Sequence, residues 1–239
     1  MGMHFKLGLY EHQSASAIDG LINMIANNTK EILDNGNHEN IERIKITSYE
    51  PAYGIIGDPA KRNPTTRQSA DHSMVYIISS ILRKAFSMYD NIQKDSDIEE
   101  LWKYLMLLPR DYSSKALYNE VTRSLMKKIE FEHGVDEYDA QYPKGIPTSI
   151  SIKTAKGEEF DSGLVLFPGG HAANETVSLN NILQHKFIRL GQLGLDRDEL
   201  VNFVLNLENI ADLSNEQLID IYDCNIKFSD EPIDKIDDE

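Results

Sequence analysis

The sequence predicts an α+β protein, on three observations. Apolar residues recur at helical spacing over 14–33, a period-two alternation occupies 43–49, and a hairpin pattern at 149–167 is set among further helical stretches. That order of elements favours α+β over a repeated βαβ fold. Ile18, Leu21, Ile22 and Ile25 give the first helix an apolar face, and Asp34-Asn35-Gly36-Asn37 ends it with residues that tolerate positive φ. In the strand, Ile44 and Ile46 point one way and Lys45 and Thr47 the other, so one face is buried. A turn-rich stretch follows at 54–69, with Gly57-Asp58-Pro59 and Asn63-Pro64. A loop of that length in a compact domain is commonly functional or lid-like.

A long helix is expected over 71–90, with Asp71 placed to cap it. Met74, Val75, Ile77, Ile78, Ile81, Leu82 and Phe86 cover most of its circumference. Only Ser73, Ser80, Arg83, Lys84 and Ser87 remain as a polar stripe, which puts this helix at the centre of its domain. Helical patterns recur at 97–108 and at 113–132, the second with Ser113 as cap. Pro143 and Pro147 mark a break. The hairpin then runs through Ile150 and Ile152, turns at Lys156-Gly157 and returns from Phe160 to Phe167. Further helices are expected over 178–193, 196–207 and 214–224, and an acidic, disordered tail over 229–239. No internal repeat and no shift of composition marks a domain boundary.

The 239 residues are 41% hydrophobic and 26% charged, an ordinary balance for a folded soluble chain. No run approaches the roughly 18 apolar residues a membrane helix needs, and the N-terminus lacks the apolar core of a secretory signal. Neither a membrane nor a nucleic acid is expected as partner: the net charge of −15 opposes phosphate binding. A small acid held by a few local cations is compatible with that charge. Cys224 is the lone cysteine, which forbids an internal disulfide and an all-cysteine iron–sulfur cluster. The expected location is the cytoplasm, or the mitochondrial matrix in a eukaryote.

Three segments concentrate chemistry. Lys6-Leu7-Gly8-Leu9-Tyr10-Glu11-His12-Gln13-Ser14 delivers a cation and an imidazole onto a helix N-terminus, an arrangement that suits carboxylates and proton transfer. The plainer reading has Lys6 solvated, Glu11 capping and His12 structural. Thr65-Thr66-Arg67-Gln68-Ser69-Ala70-Asp71-His72-Ser73 is a second polar loop feeding an apolar helix. There Arg67 either grips a carboxylate bidentately or pairs with a nearby acid. Phe167-Pro168-Gly169-Gly170-His171 reads as a plain turn after a strand, with anion binding by its paired glycines as the alternative. His-Glu-x-x-His, Cys-x-x-Cys, phosphate-loop and Gly-x-Ser-x-Gly patterns do not occur, so no metal and no cofactor are expected.

Three stretches occur in the order found in the 2-methylcitrate dehydratase (MmgE/PrpD) family, which includes cis-aconitate decarboxylase. They are Lys6 to Ala15, then Ile55-Ile56-Gly57-Asp58-Pro59-Ala60-Lys61-Arg62, then Thr66-Arg67-Gln68-Ser69-Ala70-Asp71-His72-Ser73 with Tyr76. The chain resembles the C-terminal half of such an enzyme, the likeness thinning after about residue 190. The resemblance implies a small lid domain with an antiparallel sheet and helices, joined to helices of a mostly helical large domain. Its divisions are a large-domain helix at 1–40, the lid at 41–170, returning helices at 171–228 and the tail.

It also implies a hydro-lyase that converts 2-methylcitrate or a related tricarboxylate to 2-methyl-cis-aconitate without a metal cluster. Lys6, His12 and Tyr53 correspond to catalytic positions, with Tyr49 competing for the tyrosine, and Arg67 and His72 to substrate-binding ones. The family's N-terminal half supplies further catalytic residues. Partnership with that half, or a homodimer, is therefore expected, with little catalysis from this chain alone. Two other readings stay open: a non-catalytic α+β module acting through protein association, and cis-aconitate decarboxylation or isomerisation on the same scaffold.

Overall fold

The computed structural model describes residues 3–94, 97–228 and 230, so all of the predicted 229–239 tail except Asp230 lies outside the described residues. The described chain forms two compact units, Met1–Leu179 and Asn180–Glu239. The first has an α+β architecture, as the sequence pattern predicts.

The predicted first helix is interrupted. α1 (Ala15–Asn27) gives way at Asn28 to the short α2 (Thr29–Leu33), and Asp34 and Asn35 then take positive φ to turn the chain. β1 (Ile41–Ser48) follows, with Ile44 and Ile46 fully buried and Lys45 and Thr47 partly exposed. The stretch after it is more ordered than a lid-like loop. It contains a π-type turn (Ala52–Ile56), a 3-10 turn (Pro59–Lys61) and α3 (Arg67–Ala70). Arg123 ties it down, donating from Nη1 to Asn63 Oδ1 and from Nη2 to the Pro64 carbonyl, each at 2.7 Å.

α4 (Met74–Ser87) is the central helix expected from its apolar circumference, buried from Met74 through Leu82 and again at Ala85 and Phe86. Its cap is Ser73, whose Oγ accepts from the Tyr76 N–H at 3.3 Å, and not Asp71. The reason is backbone geometry: Ser73 is extended (φ −115°, ψ 105°), whereas Asp71 is already right-handed helical at the end of α3. Ser80, assigned to the polar stripe, is buried as well. α5 (Tyr89–Lys94) and α6 (Ile98–Leu105) follow, the latter capped by Asp97.

The helix predicted over 113–132 is the clearest departure. Ser113 does cap, accepting from Ala116 N–H, but only α7 (Ser114–Leu117) and α8 (Glu120–Met126) are helical. Residues Ile129–His133 form β2. Ile129-Glu130-Phe131-Glu132-His133 alternates with period two, and the pairing available along β1 decides in favour of a strand. After α9 (Val135–Asp139), β3 (Thr148–Thr154) and β4 (Glu159–Asp161) make the predicted hairpin, with Gly157 at φ +83° in its turn. β4 is shorter than expected, leaving only a bridge between Thr148 and Val165 beyond it.

The sheet order is β2-β1-β3-β4. β3 runs antiparallel to β1 and β4, whereas β2 is parallel to β1, so the sheet is mixed and not antiparallel. The long helical connection between β1 and β2 is what permits parallel pairing. One face buries Ile44, Ile46, Ile129, Ile150 and Ile152. α1 packs against β3 on this sheet. Gly20 lets the helix approach, since a Cβ there would stand 2.8 Å from that of Ser162 and 3.1 Å from Ile150 Cγ2. Each fully buried side chain of this kind contributes roughly 1.5–3 kcal/mol. Exposed pairs cross between the strands, Lys45–Glu132 at 3.0 Å and Lys153–Glu42 at 2.8 Å, and add little to stability.

The second unit comprises most of α10 (Leu179–Gly191), α11 (Arg197–Glu208) and α12 (Asn215–Ile221), the three helices expected there. Phe187 and Phe203 stack at 6.1 Å between ring centroids, and Leu200 is buried beside Gly191. No helix among the described residues is long and apolar enough to cross a membrane.

Candidate active site

The segment ahead of α1 is anchored at Leu7, Leu9 and Tyr10. Leu7 and Tyr10 are buried, and the Tyr10 hydroxyl accepts from the Leu7 N–H at 2.9 Å. The Leu9 N–H donates to the Leu107 carbonyl at 2.9 Å, and the Tyr112 hydroxyl donates to the Leu9 carbonyl. Glu11 then caps the 3-10 turn His12–Ser14 that opens α1, its Oε1 accepting from Gln13 N–H at 2.6 Å and its Oε2 from Ser14 Oγ at 3.3 Å. The capping role read from the sequence for Glu11 is therefore present. Burial pushes its carboxyl above the usual range, and these hydrogen bonds oppose the shift.

A cleft of about 560 Å³ opens beside this segment. Lys6 and His12 line it from the segment itself. Lys61, Arg67, Asp71 and His72 line it from the turns between β1 and α4. Lys6, His12, Arg67 and His72, from two separate segments of the sequence, thus share one cavity. Lys61 lies in a quoted stretch but carries no predicted role; its neighbour Arg62 is drawn aside, donating to the Gly57 carbonyl at 3.1 Å and covering the Phe131 ring. The Lys61 carbonyl in turn accepts from Ser73 Oγ at 2.6 Å, which couples the cleft wall to the start of α4.

His72 has a defined orientation. Its Nδ1 pairs with the Asp71 carboxylate and also lies 3.2 Å from the Gln68 carbonyl. With two acceptors at Nδ1 the proton sits there, leaving Nε2 as the ring's second nitrogen for other partners.

Tyr53 is not among the residues lining the cleft. It stands on the π-type turn that also carries Ile55 and Ile56, is 39% exposed, and stacks on His133 at 5.6 Å. Tyr49 is buried, stacked on Tyr142 at 4.7 Å, and lines a neighbouring cleft of about 230 Å³. His12 borders both clefts.

The Phe167–His171 segment is a turn, with Gly170 at φ +94°, and it contributes more than a turn. The Gly170 carbonyl accepts from the Phe5 N–H at 2.9 Å and the Ala172 N–H donates to Met3 at 2.8 Å, so the segment ahead of Lys6 is paired with it. Two further imidazoles arrive by this pairing, which no local sequence signal announces. His4 lies 4.5 Å from His12 and 6.0 Å from His171 between ring centroids. Burial pushes His4 down to about 4, with help from His12 and His171. His12 is lowered too, first by burial and then by Lys6 and His171. Among the described residues no group of three or more His, Cys, Asp or Glu is placed to hold a metal ion.

The sequence matches no curated protein. Residues 10–106 match the family model described as MmgE/PrpD C-terminal domain, a family that includes lyases and dehydratases. The matched stretch is narrower than a resemblance reaching to about residue 190. It contains His12, Tyr53, Arg67 and His72 and begins just after Lys6. The walls of the cleft are built largely from this stretch, and it is residues 10–106 that belong with the MmgE/PrpD C-terminal domains.

Proposed function

We propose that the chain supplies the C-terminal-domain share of a hydro-lyase site for a tricarboxylate, 2-methylcitrate or a close relative, with 2-methyl-cis-aconitate as product. The observation that carries this reading is the convergence of Lys6, Lys61 and Arg67 with His12 and His72 on a single cleft. Elimination of water beside a carboxylate needs a base for the C–H proton, an acid for the departing hydroxide and cations for the carboxylates. His12, with its proton affinity lowered, suits the base. Lys6, Lys61 and Arg67 suit the carboxylates, Arg67 by a bidentate contact. His72, held through its Nδ1–H, can in its imidazolium form deliver the Nε2 proton to the leaving oxygen and return to the neutral Nδ1–H tautomer. An N-terminal helical domain completes the site, in keeping with the matched segment's description as a C-terminal domain.

The test is turnover of 2-methylcitrate, followed by absorbance of the new double bond, for this chain alone and mixed with such a domain. Turnover in the mixture that is lost in Lys6→Ala and His12→Gln supports the reading. A folded complex inactive on 2-methylcitrate, citrate and cis-aconitate refutes it.

A further inference from the structure

The proposed reaction uses His12 but not the two imidazoles clustered with it. His4 and His171 come from chain segments far apart in sequence, joined by an antiparallel bridge. That bridge places the His4 ring against His12, tilted by 55°, and 6.0 Å from His171, which Phe167 covers at 4.7 Å; all three imidazoles line the second cleft. Both ring nitrogens of His4 are shut off from solvent. The Nδ1 of His171 accepts from the Ala173 N–H at 3.0 Å, which fixes its neutral form as the Nε2–H tautomer. Other charged or titratable groups around His12 are Lys6, Glu11, Lys61, Arg67, Asp71 and His72 from the first cleft and Tyr49, Tyr142 and Lys144 from the second. Five of these are cationic or become so on protonation, and like the two added imidazoles they oppose a charge on His12.

We infer that His4 and His171 are positioning residues for His12: His4, packed against its ring, and His171, packed against His4, hold its orientation and restrict the three-imidazole cluster to at most one proton, so that His12 meets the substrate as a base. Like charges at such separations disfavour one another strongly in a partly buried site, so double protonation of the cluster is suppressed. The inference rests on the hydro-lyase reading for its catalytic meaning, but the cluster's protonation is measurable without any turnover.

The experiment is a histidine titration by NMR on the full chain, with its seven histidines assigned. In the unmodified chain, no more than one of His4, His12 and His171 takes up a proton above about pH 5. In His4→Gln and His171→Gln, the His12 midpoint rises by about half a unit or more. Three independent midpoints near the ordinary value in the unmodified chain overturn the inference, as does an unmoved His12 in both folded variants. If a variant fails to fold, the titration of the unmodified chain still decides. In the reconstituted enzyme the acid limb of kcat/KM moves upward with the His12 midpoint while KM stays constant. Absence of turnover with a normal cluster titration refutes the hydro-lyase reading alone.

Discussion

Replacing Gly170 with alanine tests whether the turn at 167–171 holds the site together. Gly170 sits at φ +94°, where an added Cβ would lie 2.1 Å from the Phe5 carbonyl oxygen. A left-handed conformation costs an L-residue roughly 1–2 kcal/mol. The contact cannot be relieved by a side-chain movement, because the obstacle is backbone. The chain must separate, losing the Phe5 N–H to Gly170 bond at 2.9 Å and the neighbouring Ala172 N–H to Met3 bond at 2.8 Å. At roughly 0.5–1.5 kcal/mol net for each bond, the total is about 2–5 kcal/mol. Gly163→Ala is the matched control, since Gly163 also has positive φ (+65°) but nothing within 4 Å of the added atom. It should cost only the conformational part, roughly 1–2 kcal/mol.

Urea denaturation followed by tryptophan fluorescence suits the comparison. Trp102 is the sole tryptophan, it is buried, and its ring lies 3.1 Å from where a Cβ on Gly169 would be. Hydrogen exchange at the Phe5 and Ala172 amides should speed up in Gly170→Ala and stay unchanged in Gly163→Ala. Equal destabilisation of the two variants, to within about 0.5 kcal/mol, would refute the account of the turn as the element that fixes the segment carrying His4 and Lys6.

Three more outcomes follow from the same geometry. Asp19 is buried and accepts from the Gly169 N–H at 3.1 Å, and burial raises its carboxyl from 3.8 to about 6. The unfolded chain thus releases a proton near pH 4 that the folded chain keeps to about pH 6, so this group costs stability as pH rises through that window. Asp19→Asn should remove a loss on the order of 3 kcal/mol, seen as a flatter difference in unfolding free energy between pH 4 and 7; an unchanged difference would count against the shift. Asp111 accepts from Lys84 Nζ at 2.9 Å, Arg83 Nη2 at 3.2 Å and the Leu108 N–H at 2.9 Å. Its replacement by alanine strands partly buried cations and should cost roughly 3–5 kcal/mol in denaturation, with a loss under about 1 kcal/mol contradicting the account. Tyr53→Phe should leave turnover of the reconstituted enzyme unchanged, whereas a fall of about tenfold or more would bring the hydroxyl into the reaction.

What the sequence determined by itself was local. Ile44 and Ile46 alternating with Lys45 and Thr47 specify β1, the apolar circumference of Met74 to Phe86 specifies a buried helix, and Ser113 specifies a cap; all three depend on neighbours a few residues away. Ile129–His133 shows the limit of that reasoning, since its alternation became a strand only because β1 offered a parallel edge. The same limit applies to the cleft. Lys6, His12, Arg67 and His72 were legible as residue types at the ends of helices, but their convergence required the turns between β1 and α4 to fold back over the segment ahead of α1. His171 stood in a segment read as a plain turn, and nothing local marked His4 or the meeting of the two. They meet through backbone hydrogen bonds between segments at opposite ends of the first unit, and such pairing follows from tertiary packing, which leaves no periodicity in the chain.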